Sequence, residues 1–255
     1  MFRTQLLDDT GVRVSSAAAG TVAAGPVVRH SEVITSQTKT RQRVRDLAEV
    51  YTHQREVNAM LDLVASMLPS EDRPRDIGRS FLEPSCGAGN FLVAILDRKL
   101  VYVDHRRTYR SVSTFESAVL KSLSSIYGID IDPENVQQSR GFLKADIAHH
   151  MNLQLNTEPV TDGFWPAVDA ILNTNIILAD ALKDSHEIRL VEYQWQRKAG
   201  CLIRHWSYLE PPASELDLFA QTPDVPDRDE VEIHYRLLAE NPGPVTVHRA
   251  TRGTA

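Results

Sequence analysis

Long apolar runs are missing from this 255-residue sequence. Nothing approaches the roughly eighteen consecutive apolar residues that a membrane-spanning helix needs, and the first residues lack a basic stretch followed by a long apolar core. No membrane partner and no secretory leader are expected, and the default location is cytoplasmic. Cysteine is scarce: Cys86 and Cys201 stand far apart, without Cys or His neighbours at ligand spacing, so no metal site is expected. Positive charge is in deficit as well. With 28 Lys and Arg against 34 Asp and Glu, the formal charge is −6, and a chain of that sign is not drawn as a whole to a polyanion. Contact with nucleic acid needs a local patch or a partner.

What is present is the composition of an ordinary folded protein, 42% hydrophobic and 24% charged. The length suits one sizeable α/β domain with peripheral segments. Residues 1–35, rich in small residues and without sustained period, are expected to form a flexible arm, with a short strand around residues 11–15. The domain is expected over 36–212. Residues 213–255 follow as an acidic helical extension and tail, with a helix near 229–239.

The most informative stretch is Phe81-Leu82-Glu83-Pro84-Ser85-Cys86-Gly87-Ala88-Gly89-Asn90-Phe91-Leu92. Two glycines separated by one residue follow an acid-proline pair, and an apolar helical pattern of Phe91, Leu92, Ile95 and Leu96 begins at once. The spacing predicts a strand, a tight turn and a helix running to about Leu100. Glycine reaches positive φ without strain and lets a ligand lie against the backbone, where the free N–H groups of the first helical turn face it. Leu92 stands where a dinucleotide fingerprint would have its third glycine.

A second strand is predicted at Tyr127-Gly128-Ile129-Asp130, and its terminal acid could accept two hydrogen bonds from a ribose diol. Asp132 and Pro133 then read as N-cap and first residue of a helix reaching about Ala148, with His149 and His150 as its surface terminus. That gives Asp132 a structural reason, whereas Asp130 is left without one. A short helix over 167–174 leads to a third strand over 175–182, Asn175-Ile176-Ile177-Leu178-Ala179-Asp180-Ala181-Leu182. Before all of these, Glu49-Val50-Tyr51-Thr52 precedes a helical spacing of Val57, Met60, Leu61, Leu63, Val64 and Met67, with Thr52 as its expected N-cap.

Together, Glu83-Pro84-Ser85-Cys86-Gly87-Ala88-Gly89-Asn90-Phe91, Gly128-Ile129-Asp130-Ile131-Asp132 and Ala179-Asp180-Ala181-Leu182 resemble the S-adenosylmethionine (SAM) half of adenine-N6 DNA methyltransferases. Modification subunits of restriction systems and phage methylases are the nearest types, and the resemblance spans roughly residues 46–182. It implies a Rossmann-like α/β fold, with a mostly parallel sheet and helices on both faces. It also implies SAM as cofactor, bound by Tyr51, Thr52, Glu83, Pro84, Gly87, Gly89, Asn90, Phe91, Asp130, Ile131, Asp180 and Leu182. In that family the acid at Asp130 takes the ribose, the residue at Ile131 packs on adenine, and Asp180 accepts from the adenine amine beside Leu182.

The family's catalytic tetrapeptide, Asn or Asp followed by Pro-Pro and an aromatic, is absent from the sequence. It frames the amine of a flipped base at the end of the fourth strand. That strand is expected at 188–192, so the position falls to Tyr193, Gln194 and Trp195, of which Gln could accept from an amine and the rings could stack. A basic segment with Arg106, Arg107 and Arg110 is the candidate contact to DNA. No stretch is long enough for a target-recognition domain, so a second subunit supplying recognition is the expected partner. The readings are a SAM-dependent DNA methyltransferase, a catalytically degenerate subunit that keeps the SAM fold, and a methyltransferase acting on a protein or small molecule.

Overall fold

The computed structural model describes residues 52–210 and 228–243. The expected N-terminal arm, Tyr51 and most of the acidic tail lie outside them.

Helix α1, Gln54–Leu63, buries Val57 and Leu61 in the main core. Its N-cap is His53, without a side-chain cap bond, one residue past the expected Thr52. The helix stops short of the predicted Met67, giving way at Val64 to a 3-10 turn over Ala65–Met67. Met60, Leu63, Val64 and Met67, counted at helical spacing, therefore remain exposed.

Next come β1 (Phe81–Glu83), α2 (Asn90–Leu100), α3 (Val112–Ser124), β2 (Ile126–Asp130), α4 (Pro133–Leu155), α5 (Phe164–Asn175) and β3 (Ile176–Leu178). The strands form a parallel sheet in the order β1-β2-β3. Its register sets Glu83 beside Gly128 and Asp130 beside Leu178, so all three carboxyl ends lie at one end of the sheet. Parallel pairing requires long crossovers, which the helices provide. Central β2 is buried throughout, as a strand covered on both faces must be.

Asp132 caps α4 by accepting from the Glu134 N–H at 2.9 Å, with Pro133 first in the helix, as the sequence predicts. The helix then runs past His149 and His150 to Leu155. A buried stripe of Val136, Ser139, Leu143, Ile147, Met151 and Leu155 keeps helical spacing through that point. His150 is consequently no surface terminus: its ring lies 5.8 Å from Phe115, and burial pushes its pKa down.

Side chains alternate along β2. Ile126 joins the core formed with the helices, while Ile129 packs with Ile177 and Ile188 in a separate cluster. Among the described residues, the apolar cluster on that second face contains no helix residue. That face is lined by β4 (Arg189–Trp195), whose Val191 carbonyl accepts from the Tyr127 hydroxyl at 2.6 Å. β4 pairs antiparallel with β5 (Cys201–Tyr208), and β5 with β6 (Ile233–His234), in a second three-stranded sheet. The fold is α/β and β1-β2-β3 form the expected parallel sheet, but the strand expected to extend it, β4, lies in a separate antiparallel sheet. Only residues 179–188 join β3 to β4, fewer than the dozen or so a parallel crossover takes, so the chain turns back across the sheet instead of extending it.

The described part of the C-terminal extension is stitched into the main core. Where a helix over 229–239 was predicted, there are β6 and a 3-10 turn, Tyr235–Leu237. Tyr235 and Leu238 are buried. The Tyr235 hydroxyl donates to fully buried Glu116 at 2.6 Å, and that carboxylate also accepts from the Thr161 N–H at 2.7 Å. Thr161 still holds Glu116 if the phenol is removed. Tyr235→Phe should therefore cost only about 1 kcal/mol in a urea melt; a cost below about 0.3 kcal/mol would show that the clasp contributes nothing.

Lys99, also fully buried, lies beneath β1 with Nζ 5.1 Å from the Phe81 ring centre and donates to the Arg79 carbonyl at 2.7 Å. Burial pushes its pKa down to about 7, from 10.5. Between those values the unfolded chain holds the proton that the folded chain has lost, so raising the pH favours folding; below about 7 the full penalty of a buried ammonium remains. Wild type should thus gain stability over Lys99→Met from pH 7 to 9, at no more than about 1.4 kcal/mol per pH unit. Denaturant melts at both pH values test this, and an unchanged difference would contradict it.

Candidate functional site

The site is built at the carboxyl ends of β1, β2 and β3. After Glu83 the chain turns through Pro84 to Gly89 and enters α2. The Cys86 N–H donates to the Ile129 carbonyl at 2.9 Å, laying the turn over β2. Ser139 of α4 donates to the Gly87 carbonyl at 2.9 Å and secures its other side.

Gly87 and Gly89 have φ of +53° and +92°, the left-handed region where a side chain is strained. Their surroundings differ. A Cβ on Gly89 would lie 2.8 Å from Ser139 Oγ, whereas nothing lies within 4 Å of a Cβ on Gly87. Gly89 is needed for packing; Gly87 borders open space. The N–H groups of Asn90, Phe91 and Leu92 find no acceptor among the described residues, as expected of a first helical turn. Asn90 Oδ1 is a buried acceptor without a hydrogen-bond partner. Unpaired donors and a buried unpaired acceptor thus lie in the same turn. Phe91 packs against the core. Half-buried Glu83 has its carboxyl pKa raised by desolvation, against the pull of the Ser85 backbone hydrogen bond.

Asp130 is 8% exposed and has the structural reason that the sequence did not disclose. Its Oδ2 accepts from the Gly87 N–H at 2.8 Å, and its Oδ1 accepts from the Asp132 N–H at 2.9 Å and Asn135 Nδ2 at 3.2 Å. The carboxylate ties the glycine turn to the entry of α4. A carboxylate offers about four acceptor positions, so Oδ2 retains room for one more donor.

Asp180 lies two residues past β3, and the Ala179 N–H donates to the Asp130 carbonyl at 3.0 Å, which brings the two acids to neighbouring strand ends. Asp180 Oδ1 accepts from the N–H groups of Leu182 (3.0 Å) and Lys183 (3.2 Å), and Oδ2 faces Lys183 Nζ at 3.1 Å. The Lys183 side chain first, and then the Leu182 backbone N–H, hold this carboxyl below the usual range. β3 itself ends at Leu178, and Asn175 closes α5, so Asp180 belongs to the following turn.

Two large apolar side chains at these strand ends remain in solvent, Ile131 at 55% and Leu182 at 91% exposed. The structure therefore gathers Glu83, Gly87, Gly89, Asn90, Asp130, Ile131, Asp180 and Leu182 at one end of the sheet, with exposed Pro84 in the same turn. Thr52, partly buried, lies just before α1, and Tyr51 is outside the described residues. Asn135, Ser139 and Lys183 belong to the site and were not anticipated. The helical offset of Asn135 and Ser139 along α4 from the Asp132 cap was the available signal, and the spacing of Asp180 and Lys183 was the other.

Tyr193 and Trp195 lie at the opposite end. The Tyr193 hydroxyl donates to Asn175 Oδ1 at 3.3 Å and Trp195 Nε1 to Ser124 Oγ at 3.1 Å. Asn175 directly precedes β3 and Ser124 lies two residues before β2, so these side chains sit at the amino ends of the strands. Gln194 is exposed on the same strand. β4 runs back across the sheet, which removes all three from the glycine turn and corrects their expected catalytic position.

The basic segment is remote too. It follows the carboxyl end of α2, whose eleven residues span about 16 Å from the glycine turn. Arg106 is ion-paired with Glu158, and the His105 N–H donates to Gln154 at 3.0 Å; Arg107 and Arg110 are exposed. Burial first, then the Asp130 charge, pushes the Cys86 thiol up to about 12, which disfavours the reactive thiolate. Among the described residues no group of three His, Cys, Asp or Glu could hold a metal, and no helix is long and apolar enough to cross a membrane. Comparison with known proteins gave no match to any protein-family model, curated protein or solved structure.

Proposed function

We propose that this chain is the SAM-binding half of an adenine-N6 DNA methyltransferase, with its cofactor site at the carboxyl ends of β1, β2 and β3. The observation that carries the reading is the open space beside Gly87, bordered by Asp130 and lying at the strand ends where Ile131 and Leu182 stand exposed. Open α/β sheets bind ligands just outside their strand ends. The residues present fit an adenosyl nucleoside with an amino-acid arm. Asp130 Oδ2 has room for a ribose hydroxyl, Asp180 can accept from an adenine amine, and Ile131 and Leu182 offer apolar faces to the ring. The unpaired N–H groups of Asn90 and Phe91 suit the carboxylate of the arm, and Asn90 Oδ1 suits its ammonium. Phosphate is disfavoured by that unpaired acceptor and by two neighbouring carboxylates. When bound, the cofactor supplies an electrophilic methyl group; the chain's own residues bind and orient it.

A specific observation favours the second reading, a catalytically degenerate subunit that partners a complete methyltransferase. Tyr193 and Trp195 are engaged with Asn175 and Ser124, so no described residue in the expected catalytic position can frame a flipped base. Titration calorimetry with SAM, followed by methyl transfer to DNA of mixed sequence, tests both. Binding with transfer by the lone chain supports the enzyme; binding without transfer supports the subunit; no binding rejects both.

A further inference from the structure

Ser139 is fully buried on α4, and its hydroxyl serves a backbone group of the glycine turn. It donates to the Gly87 carbonyl at 2.9 Å, whose other contact is the Cys86 thiol at a long 3.7 Å. A planar trans peptide points its C=O and its N–H in opposite directions, and no described peptide is cis. With the Gly87 carbonyl drawn towards α4, the N–H of the same peptide, that of half-buried Ala88, is turned away from that helix. This N–H finds no acceptor among the described residues, and the adjoining Gly87 borders open space. The groups on either side are fixed by other partners. The Cys86 N–H donates to the Ile129 carbonyl at 2.9 Å, the Gly87 N–H to Asp130 Oδ2 at 2.8 Å and the Gly89 N–H to the Cys86 carbonyl at 2.9 Å. The peptide between Gly87 and Ala88 is the one whose orientation rests on Ser139.

We propose that Ser139 is a positioning residue of the cofactor site: by holding the Gly87 carbonyl it keeps the Ala88 N–H turned outward, where it binds the carboxylate of the ligand's amino-acid arm. The inference rests on the SAM reading above. Without the hydroxyl, the Gly87 carbonyl loses its strong donor on α4, and the peptide rotates to find another in solvent. Because the unit is planar, the N–H turns inward as the carbonyl turns out. A donor facing the ligand is then exchanged for an acceptor that repels its carboxylate. Ribose and adenine are held by other residues, so a ligand without the arm does not feel the change.

The test is titration calorimetry on the full chain with S-adenosylhomocysteine and with methylthioadenosine, which keeps the nucleoside and lacks the amino-acid arm. Ser139→Ala should bind S-adenosylhomocysteine about tenfold more weakly than wild type, the lower end of what a hydrogen bond to a charged group contributes. Its affinity for methylthioadenosine should stay within about twofold. A purely structural role would loosen the whole turn and weaken both ligands together. A second measurement uses wild type alone and so does not depend on the variant folding. The Ala88 amide proton, followed by NMR, should move downfield on saturation with S-adenosylhomocysteine and not with methylthioadenosine, whose adenine is the same. Binding of S-adenosylhomocysteine by folded Ser139→Ala within about twofold of wild type overturns the proposal while leaving the SAM reading intact. So does an equal loss for both ligands, or an Ala88 amide that stays in place or responds alike to the two. Wild type that binds neither ligand at millimolar concentration removes the SAM reading and this inference with it.

Discussion

Asp130→Ala is expected to cost about 3 to 4 kcal/mol of folding stability and to lower SAM affinity by at least about 30-fold. The first number follows from what the carboxylate holds. The N–H groups of Gly87 and Asp132 and the amide of Asn135 all converge on it. Alanine strands these donors in a site where the acid is only 8% exposed, and hydrogen bonds to a charged group are worth about 1.5 to 3 kcal/mol each, less than additively when they share an acceptor. The second number follows because the glycine turn loses its tether and the ribose loses its acceptor together. Asp132→Ala is the control. It removes a helix cap worth about 1 kcal/mol and should leave SAM affinity within about twofold. Denaturant melts and calorimetry on both variants separate the two roles, and near-normal SAM binding by Asp130→Ala would place the ribose elsewhere.

The two glycines should respond in opposite ways. Gly89→Ala forces a methyl group to 2.8 Å from Ser139 Oγ and 3.1 Å from Ser139 Cα at a φ of +92°. Backbone cannot yield as a flexible side-chain end can, so roughly 3 kcal/mol of stability should be lost. Gly87→Ala meets no atom within 4 Å at a φ of +53°, a conformation that costs alanine only about 1 kcal/mol. Its methyl instead fills the space assigned to the cofactor, and SAM affinity should fall at least about tenfold while the fold persists. A Gly87→Ala protein that binds SAM as wild type does would mean that the open space beside the turn has another use.

Local signals in the sequence were reliable where one segment determines its own structure. The glycine pair followed by Phe91, Leu92, Ile95 and Leu96 gave a turn and a helix ending at Leu100, because left-handed backbone and helical spacing are both local properties. The Asp132 cap with Pro133 was legible for the same reason. Strand direction was not. The residues of β4 predict a strand, but whether it extends a parallel sheet or folds back across it depends on the length of the connection from Leu178 and on the partner β5, which pairs Val191 with Trp206. Placing Tyr193 and Trp195 at the wrong end of the sheet followed from that one choice.

Other misses have the same origin in distant contacts. Asp130 takes two local donors, from Asp132 and Asn135, and a third from Gly87, 43 residues away, and no local pattern discloses the third. His149 and His150 resembled a helix end because polar residues often close helices, yet Met151 and Leu155 continue the buried stripe. The helix expected near 229–239 gives way to contacts of Tyr235, whose partner Glu116 is 119 residues away in sequence, and no local pattern announces such a pair. The residues expected to hold a cofactor fall in short turns whose local pattern is readable, while the residues expected to carry the chemistry depended on tertiary placement.

The measurement closest to the central claim is a SAM titration of wild type beside Gly87→Ala, with a thermal melt of each. The account predicts saturable one-to-one binding by wild type, a loss of at least about tenfold in Gly87→Ala, and a melting temperature only a few degrees lower, about 2 to 4 °C for each kcal/mol. A folded wild-type protein that takes up no SAM at millimolar concentration would contradict it.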